Sequence, residues 1–125
     1  MILGRVNDGR EAIVQIAVLN DHKKTASIEG VVDTGYTGDL MLPMAIVEKL
    51  GLVIQGIQQG VLGDGSSRAF EVYSGLVIWD GNIRKVEINA AETGALIGMG
   101  LLESCKLEIV AKPGGEVRIT PLVDL

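Results

Sequence analysis

What most limits this chain's choice of fold is its rhythm: short runs rich in Val and Ile, broken at close intervals by glycine-bearing turns. Glu11–Leu19, Thr25–Val32, Ile83–Ala90 and Glu116–Pro121 carry the β-branched residues of half-buried strands. Asp80-Gly81-Asn82 and Pro113-Gly114-Gly115 offer the backbone freedom that tight hairpin turns need. Arg68–Tyr73 and Ser74–Trp79 read as two further strands. Helix signals are few. Pro43 suits a first helical turn, Met44–Leu50 follows, and Gly51 is a stop; Met99 to Cys105 could add one more helical turn. With 125 residues and no linker or repeat, the expectation is a single domain over 1–125. That domain is all-β, a closed or sandwiched barrel of about eight or nine strands with one or two short helices.

Composition narrows the function classes. Eleven Lys and Arg against 16 Asp and Glu give a net charge of -5, the wrong sign for tracking a phosphate backbone, and aromatic residues are only 3%. No nucleic-acid partner is expected. No apolar run is long enough for a membrane helix, Arg5 interrupts any leader-like start, and Cys105 has no disulfide partner, so the expected setting is the cytoplasm. With His22 as the sole histidine, a Cys/His nucleophile pair and a zinc site lack their ingredients, and neither metal nor cofactor is expected.

The acidic residues then carry what chemistry there is. Asp8, Asp64 and Asp80 each precede glycine and read as turn residues. Asp33 differs: Val31-Val32 lead into it from a strand and Thr34-Gly35 follow, which places an ionisable carboxyl at the mouth of the apolar core. On residue chemistry alone it fits either a catalytic carboxyl or an Asx-type turn at a strand end.

Val31-Val32-Asp33-Thr34-Gly35 resembles the active-site segment of the retropepsin-like aspartic proteases, close to their small bacterial and archaeal members. Downstream, Leu96-Ile97-Gly98 resembles the family's second signature of two apolar residues and a glycine, with Met99 to Leu102 as the short helix after it. Between them, the Gly-rich hairpin from Gly60 to Tyr73 stands where the family places its flap. The resemblance runs from Ile13 to Pro121 and implies an acid-protease barrel that works as a homodimer on peptide or protein substrates. One Asp-Thr-Gly is half a site, so the second Asp33 comes from a second copy by two-fold symmetry. The two carboxyls share one proton: one activates a water, the other hydrogen-bonds the scissile carbonyl. Thr34 would bond across the two-fold axis, and Gly35 would leave room for the water and offer its N–H to Asp33. Leu96, Ile97 and Gly98 would pack under the loop, and Gly63, Asp64 and Gly65 would form the flap tip. Asp39, Tyr73 and Trp79 are further candidates for the pocket or the flap base.

The chain also departs from the family. Tyr36 stands where most members have Ala or Ser, and Met99 and Gly100 stand where retroviral relatives carry an ion-pairing Arg and an Asp or Asn. Met1–Val6 and Val117–Leu125 are apolar enough to pair between subunits, as in the family, and an edge strand of a monomer would read the same. The alternatives are a non-catalytic domain of the same fold that binds a peptide or protein, and a structural β-barrel whose Asp-Thr-Gly is incidental.

Overall fold

A computed structural model describes residues 1–61, 63–92 and 94–123. Strands Ile2–Val6 (β1), Ala12–Leu19 (β2), Thr25–Val32 (β3) and Leu40–Pro43 (β4) precede helix Met44–Leu50 (α1). Val53–Val61 (β5), Ser67–Trp79 (β6), Asn82–Ala91 (β7) and Ala95–Ile97 (β8) follow, then helix Met99–Leu102 (α2), Cys105–Ile109 (β9) and Glu116–Pro121 (β10). The ten strands form one sheet in the order β5-β6-β7-β4-β8-β3-β2-β1-β10-β9. An additional β6–β2 pairing, Ala17 opposite Ile78 through Leu19 opposite Leu76, closes the middle six strands into a barrel.

β6 is one strand of 13 residues, where the sequence suggested two. Its first half pairs with β5 through Ser74 and its second half with β2 from Leu76, so the division expected between Tyr73 and Ser74 falls beside a change of partner within one strand. Gly75 is needed there because Ile88 Cδ1 already fills the space a Cβ would occupy. β2 divides likewise, its first half against β1 and its second against β6.

The barrel interior is the core. Val14, Val18, Leu40, Leu42, Val77, Ile88, Ile97 and Leu101 are all fully buried, from five of the six barrel strands and from α2, and β3 adds the small Ala26. Leu50 from α1 packs onto them, and α1 ends as read, with Gly51 in the left-handed region at φ 61. The β6–β7 turn has Asp80 and Gly81 both at positive φ, the geometry of a two-residue type I′ hairpin.

The terminal strands differ from expectation. β1 pairs with β2 on one side and β10 on the other, and β10 lies between β1 and β9. Both edges of each strand are therefore occupied within the chain: β1–β2 and β9–β10 are hairpins of low loop-closure cost, and β1–β10 brings the two ends of the chain together. Asp124 and Leu125, the end of the segment expected to pair between subunits, lie outside the described residues. Among the described residues, no helix is long and apolar enough to cross a membrane.

Candidate active site

The loop from Asp33 to Asp39 joins β3 to β4, two strands that do not pair with each other. β8 lies between them, parallel to β3 and antiparallel to β4. Loop, β8 and α2 are joined by backbone hydrogen bonds. Asp33 N donates to Ile97 O at 2.9 Å, Gly98 N to Asp39 O at 3.0 Å, Met99 N to Tyr36 O at 2.8 Å and Gly100 N to Gly38 O at 3.0 Å. The two sequence segments singled out around Asp33 and Ile97 thus form one unit. Asp33 is half-buried, and its Oδ1 accepts the Gly35 N–H at 2.9 Å; Thr34 and Gly35 are exposed.

Under this loop sits Tyr36. Its hydroxyl donates to Asn89 Oδ1 at 2.6 Å, with Leu40 O as a second acceptor at 3.3 Å, so it is turned to β7 rather than to Asp33. Burial, reinforced by the Asp39 and Glu87 carboxylates, holds the phenol above its usual value. The ring lies against Gly38 and Gly98, where a Cβ on either would strike it. Asp39 closes the loop: its Oδ2 accepts the Glu87 N–H at 3.0 Å, and its Oδ1 fills the place a Gly100 side chain would need. Gly100 is therefore a packing requirement here. Arg84 on β7 donates to Leu101 O at 3.1 Å and Gly100 O at 3.2 Å, placing a cation at the C-terminal end of α2.

A cleft of about 450 Å³ opens beside the loop. Its floor is Gly35 to Asp39 with Met41, Glu87 and Asn89, and Gln58 to Val61 with Phe70 on the β5–β6 hairpin cover it. The hairpin turn carries Gly63, Asp64 and Gly65, all exposed and none lining the cleft; Asp64 Oδ1 accepts both Ser66 N–H and Oγ–H, which holds its carboxyl below the usual range. Tyr73 meets Glu71 beside the hairpin base, and Trp79 is core. Among the described residues, no group of three or more His, Cys, Asp or Glu could hold a metal ion.

No family model and no curated protein matches the sequence. Solved structures do match. A retropepsin-like aspartic protease from Rickettsia conorii superposes with a TM-score of 0.59 at 18% identity, over 95% of this chain and 89% of that one. The fold is retropepsin-like. EIAV protease in complex with the inhibitor HBY-793 superposes with a TM-score of 0.53 at 15% identity, over 71% of this chain and 82% of that one.

Within the retropepsin-like barrel, sequence reasoning missed Asn89, Arg84, Gln58, Gln59 and Phe70. Asn89 left one trace, an amide inside the apolar run Ile88-Asn89-Ala90, where strands rarely carry one. The others are residues that any strand surface carries, so nothing local set them apart.

Proposed function

We propose that the chain is an aspartic endopeptidase of the cytoplasm, a single domain over 1–125 that acts as a homodimer. The observation that carries this reading is Asp33-Thr34-Gly35 on a loop stitched to β8 and α2, with Gly35 lining the cleft that the hairpin covers and Asp33 and Thr34 just outside that lining. In the reaction, the ionised Asp33 carboxylate takes a proton from a water as its oxygen attacks the scissile carbonyl carbon. The protonated Asp33 of the second copy gives its proton to the carbonyl oxygen. As the resulting gem-diol collapses, the first Asp33 gives the proton it took from water to the amine nitrogen, the C–N bond breaks, and the second copy's carboxylate takes back a proton from a gem-diol hydroxyl. Thr34 and Gly35 hold the carboxyls in place, Leu96-Ile97-Gly98 supports the loop, and Gly63, Asp64 and Gly65 lead the hairpin as it closes.

Peptide cleavage assayed from about pH 3 to 7, the range of a shared-proton dyad, tests the reading. Asp33→Asn should lower kcat/KM by about 10²- to 10⁴-fold, and a statine-type mimic should inhibit the wild type. Equal cleavage by both proteins removes Asp33 from the chemistry. The pairing of β1 and β10 within the chain favours a second reading, a non-catalytic domain that binds a peptide in the same cleft. Peptide binding unchanged in Asp33→Asn, with no cleavage by either protein, would select it.

A further inference from the structure

The sheet has two free edges, and they are treated differently. β9 carries the charges Lys106 and Glu108, the usual protection against unwanted strand pairing. β5, Val-Ile-Gln-Gly-Ile-Gln-Gln-Gly-Val, has neither charge nor proline along nine residues. It nonetheless exposes Ile57 by 69% and Val61 by 77%. Beyond the irregularity between Ile54 and Gly56 the strand is regular. Ile57, Gln59 and Val61 share one face, opposite Glu71, Ala69 and Ser67 of β6, and Gln58 and Gly60 share the other.

That segment is complementary to itself. An antiparallel two-fold pairing centred on Gln59 puts residue i opposite residue 118 - i of the second copy. Ile57 then meets Val61, Val61 meets Ile57, and Gln59 meets Gln59, where two side-chain amides can exchange donor and acceptor. On the other face Gln58 meets Gly60, so nothing bulky opposes Phe70, which lies over Gly60. The same-face rule for opposed residues requires the axis to pass through a residue, and centring it on Gln59 pairs both exposed apolar side chains.

We infer that β5 is a self-association edge, on which a second copy of this chain adds antiparallel about Gln59. The contact joins two sheets through their hairpins and does not require the two Asp33 loops to meet. A pairing of one short strand is weak by area, so a covalent trap and a charge swap are the suitable readouts.

Directly opposed Cα atoms stand about 4.5–5.5 Å apart, inside the range a disulfide spans. In a Cys105→Ser background, Gln59→Cys should therefore oxidise to a linked pair of chains, while Val53→Cys on the same strand should not. In sedimentation, Gln59→Lys alone and Gln59→Glu alone should each halve the mass of the assembly, and mixing them should restore it. The proposal is overturned if Gln59→Cys stays unlinked, if Gln59→Lys keeps the wild-type mass, or if the mixture remains apart. Loss of peptide binding in Gln59→Lys with unchanged mass also overturns it, because the edge would then serve a peptide.

Discussion

Tyr36 shows how one side chain can set the identity of its neighbours. Its ring occupies the space beside Gly38 and Gly98, but the two glycines are constrained differently. A Cβ at Gly38 meets only the ring, whereas one at Gly98 also meets the Gly38 carbonyl oxygen. Gly38→Ala should cost about 1–3 kcal/mol in wild type and much less in a Tyr36→Ala background. Gly98→Ala should stay costly in both, and a double-mutant cycle in urea reads the difference. Tyr36→Phe leaves Asn89 without its donor and should lose about 1–3 kcal/mol. The sign of its pH dependence follows from the raised phenol. Folding favours the protonated form, so the contribution of Tyr36 is complete below its ordinary value of 10.0 and is lost as pH rises past it. Wild-type stability should therefore fall more steeply than that of Tyr36→Phe above about pH 10. None of this was legible around Asp33. Tyr36 reads as a departure from small residues, and its partner Asn89 lies 53 positions away, beyond any local pattern.

At the level of elements, legibility followed how local the determining contacts are. α1 was readable because its start and stop lie in Pro43 and Gly51, and the β6–β7 turn because Asp80-Gly81 specifies its own backbone. β6 was cut in two between Tyr73 and Ser74 because the strand's change of partner, which lets one strand serve two neighbours, cannot be seen in the sequence. α2 is the element that relies most on others. Four residues do not sustain a helix alone, and this one is anchored by the loop at its first turn and by Arg84 at its last. Arg84→Ala should cost about 1.5–3 kcal/mol, the range for hydrogen bonds to a charged group, measured by denaturant unfolding. Arg84→Lys should recover only part of that, since an ammonium cannot reproduce the two-pronged contact.

The whole molecule is a barrel with two appendages: the β5–β6 hairpin, which leaves from the first half of β6, and the β1-β10-β9 arm, which leaves from the first half of β2. Burial runs from the barrel into the arm, where Val6, Val117 and Ile119 join the core, while β5 is exposed almost throughout. Amide hydrogen exchange should accordingly be fastest from Val53 to Phe70 and slowest in β2, β4 and β8; comparable protection in the hairpin would contradict this division. A closed barrel was expected from the family resemblance, as was the chain order of the segments around Asp33 and Ile97, but which strands close it was not readable, because the β2–β6 pairing joins residues that no turn connects. The insertion of β8 has a consequence in time. β3 and β4 are made early yet cannot pair with each other, and the three residues that separate them arrive only after β7. Such non-local insertion is slow. Until it happens, a growing chain presents Asp33 on a loop with no backing, so the order of synthesis itself keeps the site unassembled while the polypeptide is still incomplete.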